Sequence, residues 1–311
     1  MQPNLLSRRA VLAGGALLLG GSLRARQKLK VAIFSKHLQF VQGEELAKTA
    51  AEIGFDGIDI TARKGGHVEP ATVGKDLPAL VKIIRDHGLE VPMVTTDIAD
   101  AETPFAEDLL KAASAAGIRY YRFGAFKWDA KQSYASQIEA MKPRLARLAA
   151  LNARYQMCAI YHTHSGAGLV GASIWDLHEI MRDIDPKLVG INYDVGHATV
   201  EGGLGGWIAS FRICGPHLRG IAVKDFVWGK DAKGTWREQW KPIGEGMVKF
   251  GQFFNMVAET DFNGPVQVHF EYPLGGVNNG TRNPTIPHEQ VLAAMKKDLS
   301  AIRGHMAQAG L

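Results

Sequence analysis

The residues of this chain that could do chemistry gather at the ends of short apolar runs. The clearest is Val189-Gly190-Ile191-Asn192-Tyr193-Asp194-Val195-Gly196-His197. A β-branched apolar run reads as a buried strand, here ending in an aspartate, with a histidine three residues on where a turn should begin. A carboxylate and an imidazole at a strand mouth can hold a metal or move a proton. The plain alternative is an aspartate that caps the next helix beside a loop histidine.

Similar polar ends recur. Cys158-Ala159-Ile160-Tyr161-His162-Thr163-His164 places two imidazoles at one parity, and the run 265–272 offers His269 and Glu271, again at one parity. Lys224 closes the run 220–224 with Asp225 facing the other way, and Asp59 and Thr61 lead towards Arg63 and His67. Taken singly, each has a structural reading: a satisfied core histidine, a surface ion pair, a loop residue. Together they carry more, because charges buried around one opening destabilise a fold unless they pair or bind something. Carboxylates, imidazoles and a lysine around one mouth suit a divalent metal, or proton transfer next to a carbonyl.

The elements that must position these residues alternate along the chain. Strands are expected at 30–35, 57–62, 89–95, 120–123, 157–162, 189–194, 220–224 and 265–272. Helices are expected at 44–53, 77–87, 104–116, 132–152, 174–184, 206–214, 250–260 and 288–307. Gly54, Gly88 and Gly117 each stop a helix just before a strand, as αβ turns require. Eight βα units in one run argue for a single (β/α)₈ TIM barrel, whose chemistry sits at the C-terminal ends of the strands. No Gly-x-Gly-x-x-Gly turn follows the first strand, and there is no Walker loop, Gly-x-Ser-x-Gly elbow or CxxC spacing. An insertion after the seventh strand carries Trp228, Trp236 and Trp240, either as packing over the barrel or as apolar walls for a sugar ring.

Residues 1–25 read differently from the rest. Arg8-Arg9 precede an apolar Gly-rich run to about Leu23, then Arg24-Ala25, an arrangement that resembles a twin-arginine export signal with Val11 where Phe is usual. The expected organisation is therefore an export signal over 1–25 and a barrel over 28–311, in a periplasmic or otherwise exported protein without a stable membrane anchor after cleavage. The chain has a net charge of +5, and residues 1–25 contribute Arg8, Arg9 and Arg24 with no acid, so the remainder carries +2. That is no electrostatic footprint for nucleic acid. Cys158, mid-strand, and Cys214, at a helix end, are expected as buried thiols rather than a pair.

Asp194-x-x-His197, Val223-Lys224-Asp225, Pro242-Ile243-Gly244-Glu245-Gly246, Gly57-Ile58-Asp59 and Ala159–His164 together resemble the sugar phosphate isomerase/epimerase family of xylose-isomerase-like TIM barrels. The resemblance implies one divalent ion (Mn, Co, Zn or Mg) held by Glu, Asp, His and Glu from strands five to eight. Asp194 takes the strand-six place, and His197 is similar to the substrate-contacting histidine after it. His162 and His269 stand where glutamates are usual, and Ala222 where histidine is usual. A shifted set of His162, Asp194 and His269 or Glu271 is the expected metal site; the alternative is that Lys224 supplies the positive charge. The implied activity is isomerisation or epimerisation of a free or keto sugar by proton abstraction next to a carbonyl. Glu271, His162 and Lys224 are the candidate catalytic residues; Arg63, His67, His164 and His197 would hold the small carbohydrate. A keto-glycoside lyase or dehydratase, a non-catalytic periplasmic carbohydrate-binding protein and a metal-dependent nuclease of the same barrel are the other classes, the last disfavoured by the low charge.

Overall fold

The computed structural model describes residues 28–311, so the export-signal reading of residues 1–25 lies outside the described residues. The strands are β1 (Val31–Phe34), β2 (Gly57–Thr61), β3 (Met93–Thr95), β4 (Tyr120–Phe123), β5 (Cys158–His162), β6 (Val189–Asp194), β7 (Leu218–Val223), β8 (Asp225–Lys230), β9 (Trp236–Lys241) and β10 (Val266–Val268). β8 and β9 form an antiparallel hairpin; the other eight are parallel and close into a barrel, β10 pairing with both β7 and β1. The helices are α1 (Gly43–Ile53), α2 (Val73–Asp86), α3 (Ala106–Ala115), α4 (Tyr134–Tyr155), α5 (Trp175–Met181), α6 (Val195–Gly202), α7 (Gly206–Cys214), α8 (Phe250–Ala258) and α9 (His288–Gln308).

Strand alternation divides the barrel wall into an outer apolar face and an inner face that becomes polar towards the mouth. On the outer face, Tyr161 donates to the Val170 carbonyl at 3.0 Å, and Tyr193 stacks on Phe253 of α8 with ring centroids 5.9 Å apart. Burying such an aromatic ring stabilises the fold by roughly 2–3 kcal/mol. Inside, Met93, Cys158 and Ile160 form a small apolar cluster of their own. The Asn192 amide donates to Gln267 Oε1 at 3.2 Å, and His162, Asp194 and His269 follow at the C-terminal ends. Cys158 and Cys214 are free and buried, as expected.

Four departures from the expected elements matter for function. β3 starts only at Met93, because Pro92 has no N–H to give the ladder. β10 ends at Val268, because its neighbour β1 gives way to a 3₁₀ turn at Ser35–Leu38; the Phe270 N–H donates instead to His37 Nε2 at 3.2 Å. The turn expected at His197 is the helix α6, capped by Asp194. The tryptophan-bearing insertion is the β8–β9 hairpin.

Candidate active site at the barrel mouth

Asp194 is at once a cap and a site residue. Its Oδ1 accepts the His197 backbone N–H at 3.0 Å, which fixes the carboxylate, and its Oδ2 is left facing the barrel axis. There Oδ2 lies 3.2 Å from His162 Nε2 and 3.2 Å from Lys224 Nζ, neither approach having the alignment of a hydrogen bond. His269 completes the group. Its ring stacks on His162 at 4.9 Å with 3° between the planes, and on Phe34 from the other side. His162 Nε2, Asp194 Oδ2 and His269 Nε2 are all buried without a hydrogen-bond partner. One ligand atom from each of these three residues lies within 4.8 Å of the others.

Two imidazole nitrogens buried without a hydrogen-bond partner are costly, at about 1–3 kcal/mol each, and Asp194 Oδ2 has only its ion-pair contacts with Lys224 and His162. A divalent ion would satisfy all three. Two imidazoles and a carboxylate with open positions are a workable donor set, provided the imidazoles are neutral. Burial, followed by the charge of Arg122, holds His162 well below its ordinary pKa, and burial does the same for His269. The Asn192 amide beside the ring decides which nitrogen of His162 is free. Asn192 Nδ2 lies 3.1 Å from His162 Nδ1, an orientation that puts the ring proton on Nε2. With this amide and that of Gln267 both turned over, the Asn192 oxygen accepts from Nδ1–H and from the Gln267 amide, and the Nε2 lone pair is available to a metal. The donor set fits a divalent ion in that second arrangement.

A second trio, His162, His164 and His197, is equally close but already engaged. His164 Nδ1 donates to the His162 carbonyl at 3.1 Å, leaving Nε2 to accept from Arg122 at 3.4 Å. His197 Nε2 accepts from Lys224 Nζ at 2.7 Å, so Nδ1 carries the proton and donates to Ser165 Oγ at 2.8 Å. Lys224 is therefore fully buried between His197 and Asp194, with the Trp240 ring 4.7 Å from its nitrogen.

The remaining expected residues divide. Glu271 stands outside the metal trio: its Oε1 is 3.6 Å from Lys36 Nζ and 4.0 Å from His269 Nδ1. Burial raises its carboxyl, but the charges of Lys224 and Lys36 outweigh that and hold it below the ordinary value. It is an ionised carboxylate beside the trio rather than one of the converging donors. His67 is spent within the fold. Its Nε2 donates to the Val41 carbonyl at 3.2 Å and its Nδ1 accepts from Thr61 at 3.0 Å, so neither nitrogen is left for a sugar hydroxyl. Arg63 does reach the mouth, its guanidinium 5.7 Å from the Phe34 centroid.

Two cations at the mouth went unnoticed in the sequence. Arg122 at the end of β4 lies 5.9 Å from the same Phe34 ring; burial and then Arg63 push its pKa down to about 10, so it stays charged. Lys36 follows β1, and burial outweighs its Glu271 partner to lower its ammonium pKa. Both sit at strand ends, the same position in sequence that marks His162, Asp194 and Lys224. Asp59 of β2 accepts from Thr95 Oγ1 at 2.8 Å, and burial pushes its carboxyl up to about 7. Asp225 does face away from the mouth. Its carboxylate accepts N–H bonds from Phe226, Gly244, Gly246 and Val248, at 2.9 to 3.1 Å, and so pins the segment after the hairpin. A side chain at Gly246 would run into that carboxylate.

Residues 47–297 match the family described as the xylose isomerase-like TIM barrel. The chain belongs to this family. An uncharacterised protein of Methanocaldococcus jannaschii is 25% identical over 101 residues, a match that spans 32% of this chain and 32% of that relative. The solved structure of the IOLI protein with a bound zinc atom superposes with a TM-score of 0.68 at 13% identity, covering 89% of this chain and 99% of that one. The apo 3-keto-D-glucoside 4-epimerase of E. coli does so at 0.62 and 14% identity, covering 89% and 100%. At such identities the likeness is one of fold.

Proposed function

We propose that this protein is a sugar isomerase or epimerase that abstracts a proton next to a carbonyl of a free or keto sugar, with a divalent ion held by His162, Asp194 and His269. The observation that carries the reading is the convergence of three buried donor atoms without a hydrogen bond beside an ionised carboxylate at the barrel mouth. A bound divalent ion would polarise the substrate carbonyl as a Lewis acid. The zinc-bound fold neighbour supports a divalent metal, and the epimerase neighbour supports a sugar.

The chain's own groups supply the rest. Glu271, kept ionised between Lys36 and Lys224, is placed to take the proton from carbon, and Lys36, a stronger acid than usual, is the nearest group to share or return it. Arg122, Arg63 and Lys224 make the mouth electropositive where an enediolate would develop. Trp240 and the neutral His197 hold Lys224 in place and shield it from water. Loss of a β-leaving group after the same proton abstraction would give dehydration or glycoside cleavage. Function in an exported compartment belongs to the same proposal and rests on Arg8-Arg9 and the run that follows.

The test is turnover of a panel of keto sugars in D₂O with added Mn²⁺, Co²⁺, Zn²⁺ or Mg²⁺, read by NMR. Deuterium entering at carbon next to the carbonyl, lost at least about a hundredfold in Glu271→Gln, is the expected result. Exchange that survives Glu271→Gln, or no exchange with any sugar, would overturn the reading.

A further inference from the structure

The β8–β9 hairpin carries an aromatic face that begins at the site and runs outward. In an antiparallel pair, directly opposed residues project to the same side. Phe226 opposes Trp240, Trp228 opposes Glu238, and Lys230 opposes Trp236, so all six share one face. The inner end of that face is fixed in the mouth: Trp240 stands edge-on to His197 at 5.0 Å and covers Lys224. Phe226 is fully buried and joins Trp240, at 5.9 Å, to Trp228, at 5.7 Å. The outer end is bare. Trp228 is 41% exposed and Trp236 63%. Two indoles that pack against little do not hold the hairpin together; that is done from its other side, where Asp225 binds four backbone N–H groups. Lys230 lies over Trp236 at 5.5 Å, and Glu238 opposes Trp228 and neighbours Trp236 along β9, so the ladder offers flat apolar rings flanked by one charge of each sign.

From Trp240 to Trp236 is four residues along a strand, about 13 Å at ~3.3 Å per residue. That is room for one or two rings beyond a sugar seated over Lys224. The geometry points to a glycoside substrate, whose reacting sugar enters the mouth while its second ring stacks on Trp228 and Trp236. Flat apolar rings with polar groups at their edges match the faces and hydroxyls of a pyranose. This inference rests on the carbohydrate reading of the site and narrows it from a single sugar to a sugar with a ring attached.

The test is direct binding to the full chain by titration calorimetry, without any demand for turnover. Glucose, cellobiose, cellotriose, maltose and phenyl β-glucoside are the probes, the last separating an aromatic aglycone from a second sugar. A two-ring probe should bind about tenfold more tightly than glucose. The Trp228→Ala/Trp236→Ala double variant should lose that advantage and keep the affinity for glucose. Binding that behaves so while keto-sugar exchange is absent would sink the isomerase reading and leave the ladder standing. Equal affinity for one-ring and two-ring probes, no binding of any probe, or a double variant altered only in self-association by sedimentation would each overturn the inference.

Discussion

Asp194 and His197 are joined by a hydrogen bond that turns a helix-capping carboxylate towards the barrel mouth. The His197 N–H holds Oδ1 at 3.0 Å, and the carboxylate can then point nowhere but towards His162 and Lys224. Cap and site are separable by substitution. Asparagine caps a helix as well as aspartate, whereas alanine costs about 1 kcal/mol. Asp194→Asn should keep its urea midpoint close to that of the parent while losing at least about tenfold in metal affinity, and Asp194→Ala should lose both. An asparagine variant that binds metal normally would remove Asp194 Oδ2 from the donor set.

Lys224 Nζ lies 3.2 Å from that oxygen and would share it with a bound ion. Two cations a few ångströms apart in a partly buried site repel by several kcal/mol even at an effective dielectric of about 20. Lys224→Met should therefore raise divalent-ion affinity by about tenfold or more while lowering turnover, because the positive charge next to the enediolate is gone. Titration with Zn²⁺ and Mn²⁺ against a chelating dye reads the first effect. An unchanged affinity would mean that the ammonium and the ion do not meet at Asp194.

Asn192 sets the tautomer of His162 across 3.1 Å. Outer-shell partners of this kind are worth about 10–100-fold in metal affinity. Asn192→Leu leaves Nδ1 without a partner and should lower affinity by that factor, while Asn192→Asp, an acceptor only, should fix the proton on Nδ1 and keep or raise it. Equal affinity in the two variants would show that the amide has no say in the ligand atom.

His67 gives a pH dependence to folding. Burial pushes its pKa down to about 4, against 6.5 in a free chain. The unfolded state thus binds a proton below pH 6.5 that the native ring refuses until about pH 4. The contribution to stability is complete above pH 6.5 and falls as pH drops towards 4, by up to about 1.4 kcal/mol per pH unit. Urea unfolding at pH 7.5, 6 and 5 should show a shallower acid decline in His67→Gln than in the parent. Matching slopes would mean that His67 titrates alike in both states.

The barrel was legible because alternation of buried runs and amphipathic segments leaves few other folds. Strand parity was informative in the same way, placing His162, Asp194 and His269 on one surface from three separate segments. Parity says nothing, however, about which nitrogen or oxygen is spent. His164 follows a strand end and His67 lies in the loop after β2, yet their ring nitrogens are taken by Val41, Thr61, Arg122 and the His162 carbonyl. Lys36 and Arg122 are less legible, because a lysine or arginine at a strand end is most often a solvated surface charge. The sequence leaves the tryptophan insertion open between packing and walls for a sugar ring: its register, which sets three tryptophans on one side, is fixed by pairing between β8 and β9 rather than by either strand alone.

Metal content is the most direct test of the account. The purified chain, exposed to Mn²⁺, Co²⁺, Zn²⁺ and Mg²⁺ and then desalted, would be measured by elemental mass spectrometry beside Asp194→Asn and His269→Ala. The account predicts about one equivalent in the parent and a loss of at least tenfold in both variants. No metal in the parent, or an equal amount in all three, would contradict it and leave Lys224 as the only cation fixed at Asp194 among the described residues.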